Sequence, residues 1–300
     1  MGSGKGRTLG EVHAFQREGK SIGNGKYISG YEYDEVSEDV HKNYLDEISR
    51  LENMGGFDGM LWDDEQFLKD MLDKYGIPHK ALSKLSDSQY GDLVSKVKGK
   101  VEEDVLKFYS ETLMSVVRQE NLTDLHGKIE LKVASADPKR YGLSEDTLGF
   151  YNAAIGIVIK PGIFGEESAS YFNGYHSSYG YREAITHEFG HMVEQRITNI
   201  FVDFDNDGNL IEGGRYSPYW KWSETTYENG NVTKALSRYG TTNPSENFAE
   251  HFAAYATGSP KTSDSHRAFE KMMSDVGLGG FKGILGTNVK IPNNIFPINR

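Results

Sequence analysis

The segment Ile185-Thr186-His187-Glu188-Phe189-Gly190-His191-Met192 constrains this chain more than any other. Phe189, Met192, Val193, Ile197 and Ile200 recur at helical spacing and mark a helix with one buried stripe. Positions i and i+4 of a helix share a face one turn apart, so His187 and His191 can grip one metal ion together. Glu188 stands beside the first histidine, where it can poise a metal-bound water. Two unrelated histidines on a solvated helix would spell the same pattern, but a histidine pair on a core helix needs a reason. Gly190 costs about 1 kcal/mol relative to Ala inside a helix. It makes sense where another backbone passes close by.

A zinc site that performs chemistry takes three protein ligands and keeps one position open. A third histidine six residues beyond the second is excluded, because that position is Ile197. The inverted His-x-x-Glu-His order is absent. The remaining ligand is sought downstream, in Tyr239-Gly240-Thr241-Thr242-Asn243-Pro244-Ser245-Glu246-Asn247-Phe248-Ala249-Glu250-His251-Phe252. Asn243 or Ser245 can cap a helix there, and Pro244 suits its first turn. Glu246 and Glu250 then share one face, and Phe248, Phe252 and Tyr255 another. One glutamate can bind the metal while the other accepts the ring N–H of a ligand histidine. Spacing leaves open which does which, and a solvated glutamate face is the bland alternative. His251 points about 100° away from the Glu246 face and reads as structural. His176, in a loop before the metal helix, reads as a surface histidine.

With both segments in view, the chain resembles the protease domain of the anthrax lethal factor family, a group of gluzincins. The resemblance rests on His187-Glu188-Phe189-Gly190-His191 followed by Tyr-Gly-x-Thr-Asn-Pro-x-Glu-x-Phe-Ala-Glu-x-Phe, and covers roughly residues 180–256. It implies His187, His191 and Glu246 as zinc ligands, Glu188 as general base and Glu250 as the partner of a ligand histidine. It also implies Tyr239, seven residues before Glu246, as the transition-state donor. The implied fold is α+β, a zincin-like metalloprotease domain preceded by a mainly helical N-terminal region. The implied activity is zinc-dependent hydrolysis of peptide bonds in a protein substrate through a metal-activated water. Similar domains occur in phage minor head proteins and bacterial polymorphic toxins, so the alternative is a structural or interaction protein that retains the scaffold. Retention of all six site residues argues for chemistry.

The net charge of −11 disfavours nucleic acid or an anionic membrane as a general partner and weakly favours a neutral or basic polypeptide. With no cysteine, disulfides, thiolate catalysis and cysteine-type zinc sites are excluded. The longest apolar stretch, Ala153 to Ile159, is too short to span a membrane. No hydrophobic run follows the opening Met-Gly-Ser-Gly-Lys-Gly-Arg as a signal peptide would require, and secreted, virion and cytoplasmic settings all stay open.

Along the chain, residues 1–30 read as a loose Gly-rich arm, 31–125 as a helical domain and 126–300 as the metalloprotease domain. Expected helices fall between Tyr33 and Gly76, in a short piece from Ile77-Pro78, over Ser86 to Gln119, around Trp220 and Trp222, and over 262–278, followed by an extended tail. Ile129, Leu131 and Val133 alternate as a strand, and Phe150 to Ile159 reads as a second. Ala153 to Ile159 is the candidate for the cleft edge that pairs with extended substrate. Asp203, Asp205 and Asp207, with Glu212 at position ten, offer a shortened Ca2+ loop. The Asp-Gly pair between Ile200-Phe201-Val202 and Leu210-Ile211 favours a β-hairpin there instead.

Overall fold

A computed structural model of the chain describes residues 20–23, 26–28, 36–37, 42–43, 46, 62–119, 133–135, 138–144, 147–152, 154–159, 174–178, 182–201, 218–228 and 231–295. The architecture is α+β and mostly helical. Three short strands open it: β1 (Lys20–Gly23), β2 (Lys26–Ile28) and β3 (Val36–Ser37), paired antiparallel in that order. The expected loose arm is thus partly a sheet. Its glycine content hid the strand-forming Ile22, Tyr27 and Ile28, and Asn24-Gly25 between β1 and β2 is itself a hairpin signal, while β3 forms where a helical pattern was expected.

Helix α1 (Glu65–Lys74) is capped by Asp64, whose side chain accepts from the Phe67 N–H, and it buries Phe67, Leu68, Met71 and Leu72. The short helix expected from Ile77-Pro78 is absent; a 3-10 turn forms later, at Leu82–Lys84. Helix α2 (Asp87–Gln119) runs unbroken for 33 residues. Its buried Val101, Val105, Leu106, Leu113 and Val117 join the same core as the helix that carries His187. Each such aliphatic burial contributes about 1.5–3 kcal/mol.

The site-bearing sheet has the order β4 (Val133–Ser135), β6 (Gly156–Ile159), β5 (Gly149–Asn152). Strand β6 pairs parallel with β4 and antiparallel with β5. The expected single strand from Phe150 to Ile159 is therefore a hairpin turning at Asn152–Ile155, where Ile155 N–H reaches Asn152 O. Ala153–Ile159 does not supply the cleft edge: β6 is interior, and its Ile157, Val158 and Ile159 are buried. The edge is β5. A continuous apolar run cannot by itself distinguish an interior strand from an edge.

Helix α3 (Arg182–Phe201) carries the two motif histidines. It includes Ile200 and Phe201, so the hairpin expected there loses its first strand. The rest of that segment, with Asp203, Asp205, Asp207 and Glu212, lies outside the described residues. Helix α4 (Pro218–Thr226) buries Tyr219 and Trp222, and the two-stranded β7 (Tyr227–Glu228) and β8 (Asn231–Val232) follow it. Helix α5 (Pro244–Thr257) begins at the Asn243 cap, whose side chain accepts from Glu246 N–H, with Pro244 at its first position. Helix α6 (Asp264–Asp275) starts at a Ser263 cap.

Helices α3 and α5 pack face to face, and Gly190 is the reason they approach so closely. A Cβ at Gly190 would sit 3.0 Å from Ala249 Cα and 3.1 Å from Phe252 Cβ. The rings of Phe189, Phe252 and Phe281 close the contact, with centroids 5.4–6.0 Å apart. The C-terminal stretch is not the extended tail expected of it. It folds back in turns, with Gly283 and Leu285 N–H bonded to Tyr255 and Ala256 O at 2.8 Å, and Arg182 Nη1 holding Leu285 and Gly286 O at 2.8 Å. Buried Phe281, Leu285 and Ile295 explain the return: each has apolar area to remove from water. Among the described residues, no helix is long and apolar enough to cross a membrane.

Candidate metal centre

Helix α3 presents His187 and His191 on one face, their rings 4.9 Å apart. Helix α5 brings Glu246 opposite. His187 Nε2 lies 2.9 Å and His191 Nε2 3.3 Å from the same oxygen, Glu246 Oε2. The ligand atoms of these three residues all fall within 4.8 Å of one another.

The far side of each histidine ring is also held. His187 Nδ1–H donates to Glu250 Oε1 at 2.8 Å. The carboxylate can only accept, so the proton sits on Nδ1 and Nε2 is turned toward Glu246. Glu250 is fully buried and receives Ser177 N–H at 2.7 Å as well. His191 Nδ1 lies 3.1 Å from Ser245 Oγ, whose hydroxyl donates in turn to Glu194. Tyr219 OH donates to the other oxygen of Glu194 at 2.7 Å. Both rings are thereby fixed with Nε2 facing a common point. Two imidazole nitrogens and one carboxylate oxygen, each oriented from behind, form a donor set suited to a divalent ion.

Electrostatics agree. Burial would pull the His187 imidazole down, yet hydrogen bonds to Glu246 and Glu250 carry it well above its ordinary value. Burial would raise Glu246, but hydrogen bonds to His187 and His191 bring it to about 2. The point between them stabilises positive charge. Glu188 is different: it is buried with no ligand role, and burial pushes its carboxyl up to about 7 against the pull of His187 and His191. Room for it comes from Gly149 on the edge strand, where a Cβ would stand 3.2 Å from Glu188 Oε1 and 2.8 Å from Ile159 Cδ1.

Tyr239 opens a 3-10 turn, Tyr239–Thr241, that leads into α5. Its ring lies 5.4 Å from that of His187. Burial, with Glu246 and Glu188 nearby, raises its phenol above the ordinary value, so the hydroxyl keeps its proton. His187, Glu188, His191, Tyr239 and Glu246 line one open cleft of about 930 Å3, walled on one side by Gly149 to Asn152. Among the described residues β5 pairs only with β6, which leaves its other edge free along this cleft.

All six residues singled out from the sequence therefore meet around one point. His251 is placed elsewhere, as its helical angle requires: it is buried with its ring stacked on His266, Nδ1 to Nδ1 3.0 Å. His176 corrects the surface reading. It is nearly buried, with Nδ1 3.2 Å from Glu250 Oε1 and 3.3 Å from Glu183 Oε1. Burial lowers its imidazole, and the two carboxylates more than reverse this. Sequence reasoning also passed over Glu194, Ser245 and Tyr219 as site residues. Glu194, three residues after His191, carried a detectable signal, since i and i+3 share a helix face. Nothing in the spacing marked Tyr219 or His176.

Comparisons with protein-family models, with curated proteins and with solved structures each give no match for this chain.

Proposed function

We propose that this protein is a zinc-dependent endopeptidase of the lethal factor-like gluzincin kind, with a zincin-like fold. One observation carries the reading: a metal-competent His187, His191 and Glu246 set lies in an open cleft with a separate buried carboxylate, Glu188, and a tyrosine, Tyr239. Zinc bound there would supply a Lewis acid that polarises the scissile carbonyl and acidifies a water. Glu188 takes the proton from the attacking water. A carboxyl near 7 suits this, since it accepts the proton and later releases it to the leaving amine. The Tyr239 hydroxyl donates to the oxyanion that develops on the substrate. Glu250 and the Ser245–Glu194 pair hold the imidazoles still throughout. An extended polypeptide can lie along the free edge of β5 and place its carbonyl over the cleft floor. A scaffold protein would need neither a base nor a donor in this cleft.

Metal analysis of the purified chain tests the ligand set. About one zinc per chain is expected. His187→Ala and Glu246→Ala should lose most of it, and His251→Ala should keep it. If Glu250→Ala lost zinc while Glu246→Ala retained it, the assignment would be off by one helical turn.

A further inference from the structure

His176, a nearly buried imidazole in the segment Gly174 to Ser178, lies just behind the cleft and has no part in it. That loop touches the three elements that carry the metal-facing residues and Tyr239: α3, α5 and the 3-10 turn. Gly174 O and Tyr175 O accept from Arg238 N–H (2.9 Å) and Tyr239 N–H (3.0 Å), which ties the loop to the 3-10 turn of Tyr239. Ser177 N–H binds Glu250 Oε2 at 2.7 Å and Ser177 Oγ–H binds Glu250 O at 2.6 Å, which ties it to α5. Glu183, in the first turn of α3, has a buried Oε1 that finds no hydrogen-bond partner among the described residues and lies 3.3 Å from His176 Nδ1. Lys261 Nζ–H and Ser259 Oγ–H hold the loop from beneath, through His176 O and Ser177 O.

His176 sits where these ties cross. Its Nδ1 faces Glu250 Oε1, the same oxygen that receives His187 Nδ1–H. Its ring meets the Tyr239 ring edge-on at 5.3 Å and the His187 ring at 6.4 Å. Glu250 thus takes three N–H donors, from His176, Ser177 and His187, and is left with little freedom to rotate. His176, Glu183 and Glu250 also lie close enough to hold a cation of their own. Glu250 is already engaged by those donors, so the cluster serves as a hydrogen-bond hub.

We infer that His176 is a positioning residue: through Glu250 it fixes the ring of His187, and through its own ring it fixes Tyr239 against that histidine. This rests on the zinc-hydrolase reading of the cleft. Its consequence is that one side chain, touching neither metal nor substrate, sets both metal affinity and the placement of the oxyanion donor. Outer partners of metal-bound histidines typically govern affinity by 10–100-fold.

The test compares His176→Leu with His176→Asn in the full chain, each checked for a cooperative melt. Zinc affinity is measured against a competing chelator, and Co2+ loading is followed by visible absorption. The Asn amide can donate from the place of Nδ1; Leu cannot. His176→Leu should bind zinc about 10–100-fold more weakly, with shifted Co2+ bands and a lower kcat at near-constant KM. His176→Asn should recover most of the affinity and the wild-type bands. If the Leu variant does not fold, His176→Ala, which also lacks the donor, replaces it with the same expectation. Wild-type affinity in the donor-deficient variant, or equal loss in His176→Asn, overturns the inference. A wild type that binds zinc but cleaves no peptide overturns the peptidase reading instead, and the affinity order still decides the role of His176.

Discussion

At the scale of single residues, the site divides its labour between two glutamates of opposite character. Glu246 is held at about 2 by the histidines it faces, which suits a permanent anionic ligand. Glu188 is carried to about 7 by burial, which suits a group that must gain and lose a proton. The Tyr239 phenol beside them keeps its proton, as the proposed donor role requires. If its hydroxyl stabilises the oxyanion, Tyr239→Phe should lower kcat by on the order of 10²-fold or more. KM and zinc content should change little, because the interaction strengthens only in the transition state. A packing tyrosine would tolerate Phe almost silently, and steady-state kinetics on this one variant tell the two apart.

At the scale of elements, the site depends on how closely α3 and α5 cross. Gly190→Ala adds a methyl that meets Ala249 Cα at 3.0 Å, a backbone atom that cannot swing aside. The helix gains about 1 kcal/mol of propensity, while overpacking costs about 1–3 kcal/mol. The second effect should win, because α5 must shift outward. It would carry Glu246 away from the histidines, so denaturant midpoint and zinc affinity should fall together. The buried His251–His266 pair, on α5 and α6, makes a pH-dependent contribution. Burial lowers His266 to about 4, with Glu270 pulling the other way, and burial with His266 alongside lowers His251 well below the ordinary histidine value. The unfolded chain then binds more protons than the folded one below about pH 6.5. Stability is complete above that pH and is lost as pH falls toward 4, by about 3 kcal/mol for His266 alone. His266→Gln should flatten urea midpoints measured across this window; an unchanged slope would mean that the pair is not neutral in the fold.

At the scale of the whole molecule, the residues that converge on the cleft were more legible in the sequence than the architecture. His187 with His191, and Glu246 with Glu250, announce themselves because i and i+4 spacing converts directly into a shared face, and Glu188 is marked by its place beside the first histidine. Tyr239 lay outside that logic and came only from the family resemblance. The edge strand was missed because the apolar residues on both sides of Asn152 were read as one strand, and the turn signals at Asn152 and Gly156, where the chain reverses, were passed over. His176, Ser177 and Tyr219 were invisible because their partners lie 74, 73 and 25 residues away. The fold brings these distant pieces to one cleft, and the central claim is that the cleft cuts polypeptide with Glu188 as its base. The direct test is digestion of a peptide library, read by mass spectrometry, with zinc-loaded wild type and zinc-loaded Glu188→Gln side by side. The account predicts cleavage by the wild type and a loss of about 10²–10⁴-fold in the variant at equal zinc content. Equal cleavage by the two proteins would contradict it.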